Sequence, residues 1–124
     1  ITISGGEVTA IGGIQAAAIG GGNRGNGTDI TISGGTVTAI GGNDGGTGSG
    51  AGIGGGSYAN GNKITIIGGS VNATGGCGNG VSGAAGIGGG YHGNGSEIAV
   101  SDGTVVAIWY RRWFVRNRQR YYHQ

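Results

Sequence analysis

The chain has 124 residues, of which 36 are Gly and none is Pro, and only 10% are charged. Collagen is excluded because Gly does not recur at every third position, and a flexible Gly/Ser linker is disfavoured because Ile and Val recur regularly. The net charge of +2 hides a division: residues 1–108 carry five acids against Arg24 and Lys63, whereas residues 109–124 carry five Arg and no acid. We therefore expect an ordered, acidic body followed by a basic tail.

Four segments of the body begin alike and mark an internal repeat. They are ITISGGEVTAIGG from Ile1, ITISGGTVTAIGG from Ile30, ITIIGGSVNATGG from Ile64 and IAVSDGTVVAI from Ile98. The repeats are therefore assigned to residues 1–29, 30–63 and 64–97, with a partial fourth at 98–108. The extra material of the second and third repeats falls at Asn43–Gly50 and Cys77–Gly83. Insertions confined to one place predict a loop on one side of a repeating scaffold.

Each complete repeat contains three short apolar blocks separated by glycines: Ile-Thr-Ile, Val-Thr-Ala or a variant, and a block centred on Ile19, Ile53 or Ile87. Such short blocks do not form stable helices, and the first two alternate with the period of two that half-buried strands show. The Gly-Gly pairs that follow permit the positive φ angles of sharp corners. The sequence predicts an all-β fold, a parallel β-solenoid with three short strands per coil and about three and a half coils. We expect the coils to wind in the right-handed sense.

Stacked coils lie about 4.8 Å apart, so equivalent side chains should form columns. The predicted inward columns are Ile1/Ile30/Ile64/Ile98, Ile3/Ile32/Ile66/Val100, Val8/Val37/Val71/Val105, Ala10/Ala39/Ala73/Ala107 and Ile19/Ile53/Ile87. The predicted outward columns are Thr2/Thr31/Thr65/Ala99, Thr9/Thr38/Asn72/Val106 and Glu7/Thr36/Ser70/Thr104. Rows of Thr on a flat face can bind ice, although Thr is also an ordinary exposed strand residue. The Asn-Gly pairs at Asn26, Asn60 and Asn94 predict left-handed turns and a ladder of Asn side chains.

The motif ITISGGTVTAIGG, followed by a Gly-Ile-Gly-rich stretch and Gly-Asn-Gly, resembles repeats of bacterial secreted and cell-surface proteins. Over residues 1–108 it is similar to the calcium-containing parallel β-helix family that binds acidic plant polysaccharide. The resemblance implies a β-helix at an extracellular or cell-surface location, with acidic residues flanking the third strand. Here those places read GAGIGGG at Gly50–Gly56 and AAGIGGG at Ala84–Gly90, which lack the oxygen ligands that Ca²⁺ needs. We therefore expect no metal and no cofactor.

The ionisable residues are too scattered to predict catalysis. General acid–base chemistry needs two such groups at one bond. Glu7 and Asp102 lie three coils apart, Asp29 and Glu97 are separated in their column by a Lys, and His92 has no acid or Cys nearby in sequence. We therefore expect that the protein is not an enzyme.

Aromatic residues gather at the turn after the third strand of the second and third repeats. Tyr58 and His92 occupy aligned positions, Tyr91 precedes His92, and Arg24 shares the register of Tyr58. Exposed aromatic rings can stack on sugar rings, so these four residues are the candidate glycan-binding group. The alternative is that they only pack over exposed backbone at the turn.

Residues 109–124 form an aromatic and basic tail. Five of its aromatic residues fall within about 140° of one another on a helical projection: Trp109, Tyr110, Trp113, Phe114 and Tyr121. This pattern predicts an amphipathic helical cap, or partner contact, over the last coil, whose open strand edges would otherwise associate. The alternatives are a tail that binds nucleic acid or an anionic membrane and a segment unrelated to native function.

These features favour a non-catalytic extracellular repeat module that serves as a structural or adhesin stalk or as a glycan-contacting surface. The alternatives are a filament-forming or ice-binding solenoid and a polysaccharide-acting β-helix enzyme. We expect glycans or other copies of the chain as partners and no nucleic acid. The chain opens on Ile1 inside a strand pattern, which predicts a processed form or a piece of a longer surface protein. The single cysteine, Cys77, excludes an internal disulfide, and no apolar run is long enough for a membrane span.

Overall fold

The computed structural model describes residues 1–43, 48–77 and 83–109 and the backbone of residues 120–121. All regular structure in these residues is β-strand, with no helix. In chain order the strands are β1 (Thr2–Ile3), β2 (Glu7–Ile11), β3 (Ile19–Gly20), β4 (Gly27–Ile32), β5 (Thr36–Ile40), β6 (Ile53–Gly54), β7 (Gly61–Ile66), β8 (Ser70–Thr74), β9 (Ile87–Gly88), β10 (Gly95–Val100), β11 (Thr104–Trp109) and β12 (Arg120–Tyr121).

The strands form three sheets, each of which collects one strand from every coil. The sheet orders are β1-β4-β7-β10, β12-β11-β8-β5-β2 and β3-β6-β9. All pairings between successive coils are parallel, whereas β12 pairs antiparallel with β11. The predicted parallel β-solenoid is therefore confirmed, with three strands in each of the first three coils and two in the described part of the fourth.

The predicted columns are confirmed by the strand register. Ile30 pairs with Ile64, which pairs with Ile98, and Val37 pairs with Val71 in the second sheet. The middle of the core is dry: within the inward columns, the side chains that are wholly inaccessible all belong to the second and third coils. These side chains are Ile30, Ile32, Val37, Ala39, Ile53, Ile64, Ile66 and Ala73.

The coils use left-handed backbone conformations at the predicted glycine corner and at two further positions that were not predicted. The second Gly of the first corner has positive φ as expected, for example 83° at Gly6 and 90° at Gly35. The left-handed turns predicted at Asn-Gly are wrong, because Gly27 and its equivalents already pair inside the first sheet. The left-handed residues are instead the equivalents of Arg24 and of Asp29, at φ 64° and 56° in the first coil.

The predicted Asn ladder is present, with a different donor. The Asn60 backbone N–H donates to Asn26 Oδ1 at 2.8 Å, and the Asn94 N–H donates to Asn60 Oδ1 at 2.8 Å. Each Asn side chain thus accepts from the backbone of the next coil, which satisfies an amide at the entry of the following strand. The contacts join residues of successive coils and so reinforce the register.

The second-coil insertion begins and ends side by side. Asn43 and Ser49 form an antiparallel bridge, and Asn43 Oδ1 accepts a hydrogen bond from the Cys77 N–H at 2.7 Å. Both insertions therefore leave the coil at the same corner, as predicted for a loop on one side of the scaffold. Residues 44–47 and 78–82 lie outside the described part of the chain.

The predicted helical cap falls largely outside the described residues, which exclude 110–119, 122–124 and the side chains of 120–121. At both described ends of this segment the backbone is strand and not helix: Trp109 ends β11, and Arg120–Tyr121 form β12. The pairs Ile108↔Tyr121 and Trp109↔Arg120 join them. The strand conformation follows from the free edge of β11, which needs hydrogen-bond partners that a helix would not supply.

Candidate functional site

Arg24, Tyr58 and His92 occupy one position in three successive coils. All three adopt left-handed backbone conformations, with φ of 64°, 60° and 59°. The Arg24 N–H donates to the Ser57 carbonyl at 2.9 Å, and the Tyr58 N–H donates to the Tyr91 carbonyl, so each turn is hydrogen-bonded to the turn of the next coil. Because the backbone conformation repeats, the three side chains leave the solenoid in the same direction and form a column.

Tyr91 completes this column to a cluster of four, which we call the aromatic ladder (Arg24, Tyr58, Tyr91 and His92). The Arg24 guanidinium carbon lies 4.9 Å from the centroid of the Tyr58 ring. The Tyr58 and His92 rings stack with centroids 5.6 Å apart and 24° between planes. Tyr91 stands at 81° to Tyr58, at 5.4 Å, and lies 4.1 Å from His92. The four residues predicted as the glycan-binding group are therefore brought together.

The stacking in the ladder offsets the strain of its backbone. A left-handed conformation costs roughly 1–2 kcal/mol for a residue with a Cβ. An exposed cation–π contact contributes about 0.5–1 kcal/mol, and an aromatic pair contributes about 0.5–1.5 kcal/mol beyond area burial. The ladder makes one contact of the first kind and three of the second. These contributions are of the size needed to hold the three turns in place.

The ladder leaves part of Tyr58 accessible. Arg24 belongs to the turn before Tyr58 and His92 to the turn after it, so both faces of the Tyr58 ring are covered by its neighbours. Tyr58 nevertheless stays 46% exposed. Arg24 and His92 are themselves exposed, and the ladder consequently presents hydrogen-bonding groups together with the outer surfaces of its end members.

Two buried serines lie beneath this surface, and sequence reasoning missed them. Ser49 and Ser57 are 0% exposed, and neither hydroxyl has a hydrogen-bond partner among the described residues. Their backbones extend the vertical ladder: the Ser57 N–H donates to the Gln15 carbonyl at 2.9 Å, and the Tyr91 N–H donates to the Ser49 carbonyl at 3.0 Å. Ser57 aligns with the exposed Asn23 and with Tyr91, so its position in the repeat carries no signal of burial.

The end of the solenoid beyond the third coil carries a cavity of about 470 Å³. Inward residues of the last coils line it, including Ile87, Ile98 and Val105, and His92 and Trp109 also contribute. The cavity therefore adjoins the last member of the aromatic ladder. Trp109 Nε1 donates to the Gly83 carbonyl at 3.3 Å.

The Trp109 hydrogen bond is the last of a series in which a carbonyl at one corner of each coil accepts a hydrogen bond from the next coil. The carbonyls of Gln15 and Ser49 accept backbone N–H groups from the next coil, and the Gly83 carbonyl accepts the Trp109 indole N–H instead. Of the other residues predicted to cap the chain, Tyr110, Trp113 and Phe114 lie outside the described residues. Tyr121 is placed only through its backbone pairing with Ile108.

The described ionisable residues form no metal site. Among residues 1–43, 48–77 and 83–109, no group of three or more His, Cys, Asp and Glu comes close enough to hold a metal ion. The same part of the chain contains no apolar helix of the length needed to cross a membrane.

Comparison with known proteins identifies the repeat. A search of curated proteins and a search of solved structures return no match. The family model described as beta helix repeat matches residues 1–23, 30–57 and 64–91, which are the first three repeats, each without its last few residues. These matches cover more than half of the sequence and agree with the parallel pairing of the strands. The chain belongs to the beta helix repeat family.

Proposed function

We propose that this chain is a non-catalytic, extracellular repeat module whose β-helix serves as a stalk and whose aromatic ladder contacts glycans. The observation that carries the glycan-binding part is the clustering of Arg24, Tyr58, Tyr91 and His92 on one exposed edge. The stalk is supported by the repeat itself, because each coil buries its side chains only against its neighbours and the array can be lengthened without changing its cross-section.

The mode of contact follows from which groups the ladder leaves free. The Tyr58 hydroxyl and the Arg24 N–H groups can hydrogen-bond to sugar hydroxyls, and the exposed outer surface of His92 can stack against a sugar ring. From Arg24 to His92 the ladder spans two coil steps, roughly 10 Å. This length suits contact with an oligosaccharide lying along the solenoid axis more than with a single sugar in a pocket.

A glycan array tests the glycan-binding part. We expect the wild-type chain to bind a subset of glycans and the Tyr58→Ala/Tyr91→Ala variant to lose that binding. Ile14→Ala is the matched control, because Ile14 is also exposed, at 74%, but lies on another corner of the first coil. Tyr58→Phe separates the hydroxyl from the ring, and reduced binding by this variant supports contact through the edge of Tyr58. Absence of binding by the wild-type chain would leave the stalk as its only role.

The extracellular location has its own test. Antibody labelling of intact cells that produce the full-length protein should detect the epitope without permeabilisation. Labelling that requires permeabilised cells would contradict this location and leave the β-helix fold unaffected.

An ice-binding solenoid is the second candidate, and the register of the outward threonines favours it. Thr2, Thr31 and Thr65 are aligned on successive strands of the first sheet. This row ends at Ala99 in the fourth coil. In the second sheet, the outward threonine row is interrupted by Asn72. Thermal hysteresis is the test: suppressed ice growth that is lost in Thr31→Leu would replace the glycan proposal, and unaltered ice growth would remove this candidate.

A polysaccharide-acting enzyme is the remaining alternative from the sequence. Incubation with acidic and neutral glycans, followed by chromatography of the products, tests it. Release of shortened chains would contradict the non-catalytic assignment.

The aromatic and basic tail is proposed to close the last coil. The supporting contacts are the Trp109 indole N–H on the Gly83 carbonyl and the antiparallel pairing of β12 with β11. Tyr110, Trp113 and Phe114 remain predicted members of this closure.

A further inference from the structure

The two tyrosines of residues 1–109, Tyr58 and Tyr91, are brought into contact by the coiling of the chain. Nearly a full repeat separates them in the sequence, but the Tyr58 backbone N–H donates to the Tyr91 carbonyl at 2.6 Å. Their ring centroids lie 5.4 Å apart with 81° between the planes, which is within the contact range of aromatic pairs, about 4.5–7 Å. The pair therefore joins the second coil to the third through both backbone and side chains.

The neighbours of Tyr58 hold its ring beside Tyr91. The Arg24 guanidinium lies over the ring, 4.9 Å from its centroid, and His92 stacks on it at 5.6 Å. His92 also lies 4.1 Å from the Tyr91 ring, so the two phenols share a neighbour. Because the last side-chain torsion of tyrosine has broad energy wells, the rings can turn within this cluster without leaving it. The fold thus keeps two phenols at a distance from which their ring carbons can meet.

Both phenols are also accessible from solution. Tyr58 is 46% exposed, and Tyr91 is half-buried. An oxidant in the solvent can therefore remove an electron from this pair, whereas the inward side chains of the same coils are shielded from such reagents. Of the side chains that join the second coil to the third, this pair consequently combines close contact with chemical access.

Two neighbouring phenols have a defined oxidative chemistry. Loss of one electron and the hydroxyl proton converts each tyrosine to a phenoxyl radical, whose unpaired electron is shared with the ring carbons ortho to the oxygen. The two radicals combine by forming one carbon–carbon bond between ortho carbons, and the hydrogen on each of these carbons passes through solvent to its phenol oxygen. The pair loses two hydrogen atoms in all, and hydrogen peroxide takes up the two electrons and two protons and becomes two molecules of water. Because the fold holds both rings together, this coupling has the advantage of an intramolecular reaction between oriented partners.

We propose that Tyr58 and Tyr91 form an oxidative cross-linking site, at which a peroxidase and hydrogen peroxide join the second and third coils through a dityrosine bond. A covalent cross-link stabilises a fold mainly by restricting the unfolded chain. This one would fasten two neighbouring coils at a corner where hydrogen bonds and ring stacking already hold them together. The proposal requires neither glycan contact by the aromatic ladder nor an extracellular location.

Treatment of the purified chain with a haem peroxidase and hydrogen peroxide tests the site. The protein is kept dilute so that coupling within one chain exceeds coupling between chains, and Cys77→Ser serves as the parent because the thiol would consume radicals. We expect a monomer that is lighter by two hydrogen atoms. Trypsin cleaves after Lys63, between the two tyrosines, and tandem mass spectrometry of the joined peptides should place the bond at Tyr58 and Tyr91. The midpoint of thermal unfolding should rise by about 5 °C or more.

Matched variants separate this site from coupling elsewhere in the chain. Tyr58→Phe and Tyr91→Phe keep the ring contacts but remove one phenol, and each should lose the joined peptides. Tyr58→Phe/Thr36→Tyr restores the number of tyrosines by placing one on the exposed face of β5 in the same coil, and it should also give no bond to Tyr91. Tyr121→Phe removes a tyrosine outside the aromatic ladder and should cross-link like the parent.

Three results would overturn the proposal. The first is an oxidised parent chain without a bond between Tyr58 and Tyr91. The second is equal cross-linking of Tyr91 by the tyrosine relocated to position 36, which would show that contact within the ladder is not required. The third is a bond that forms only between separate molecules and disappears on dilution.

Discussion

The first and second coils provide a comparison in which sequence is nearly constant and environment is not. Their opening segments, ITISGGEVTAIGG and ITISGGTVTAIGG, differ only at Glu7 and Thr36. Yet Ile32 and Val37 are 0% exposed, whereas their equivalents Ile3 and Val8 are only partly buried. The difference arises because the second coil has a neighbour on both sides and the first has one. Burial in this fold is therefore supplied by stacking and not by the local sequence.

The same comparison explains why glycine is needed at some corners and merely present at others. Gly42 lies against the backbone of the first coil, whereas its equivalent Gly13 faces open space. Identical residues in identical local structure consequently have different tolerance to substitution. Matched substitutions in the two coils can test this account.

The largest difference is expected for isoleucines of one inward column. Removing a fully buried isoleucine side chain costs about 2–5 kcal/mol through lost burial and the cavity that remains. We expect Ile32→Ala to reach this range and Ile3→Ala to lower the free energy of unfolding by about half as much, because its site is partly exposed already. Urea denaturation followed by circular dichroism, at low protein concentration, measures both. Equal losses would show that the two coils are equally buried and contradict the comparison.

A smaller but sharper difference is expected for the corner glycines. Gly42→Ala would force a Cβ into the Gly13 carbonyl, and overpacking of this kind costs about 1–3 kcal/mol. The Cβ added by Gly13→Ala meets open space, so this substitution should change the free energy of unfolding by no more than about 0.5 kcal/mol. The midpoints of thermal unfolding of the two variants should differ accordingly. Indistinguishable midpoints would mean that the coils are not in contact at this corner.

The Asn ladder should contribute about one hydrogen bond per step. Asn60→Ala leaves the Asn94 N–H without its acceptor, and we expect a loss of about 0.5–1.5 kcal/mol. Asn72→Ala is the control, because Asn72 points outward from β8 and is exposed. Hydrogen exchange of the Asn94 amide provides a local readout. An unchanged exchange rate of the Asn94 amide in Asn60→Ala would show that the Asn ladder does not protect this amide.

The smallest effect is expected at the closed end. Trp109→Phe keeps an aromatic ring but removes the indole N–H that reaches the Gly83 carbonyl. We expect a loss of about 0.5–1 kcal/mol, the net contribution of one partly exposed hydrogen bond. Val106→Leu, on the outward face of the same strand, is a control for substitutions near the end of β11. A Trp109→Phe chain as stable as the wild type would limit the closure to backbone pairing by β12.

The repeat made the fold and its columns predictable, because one register relates every coil to the next. The positions of Ile30 over Ile64 and of Tyr58 over His92 followed directly from the spacing of equivalent residues. The left-handed turns were less predictable, since residue preferences favour Asn or Gly there, whereas Arg24 and Tyr58 adopt them under the constraint of closing a coil and stacking on their neighbours.

Other features depend on neighbours that a single repeat does not reveal. Ser57 is buried because Gly48, at the end of the insertion of its own coil, lies against its side chain, although its equivalents are Asn23 and Tyr91. The strand conformation of Trp109 depends on its pairing with Arg120 across the edge of β11, which no helical pattern of aromatic residues anticipates. Both features therefore depend on contacts between residues that are distant in the sequence.

The whole fold depends on equivalent residues of successive coils lying over one another in one dry interior. Methyl-labelled isoleucine and a nuclear Overhauser spectrum test it most directly. The parallel register should give cross-peaks between the methyl groups of Ile30 and Ile64, of Ile64 and Ile98, and of Ile32 and Ile66. Absence of these cross-peaks in the folded chain, together with contacts that reverse the order of one segment against the next, would contradict it.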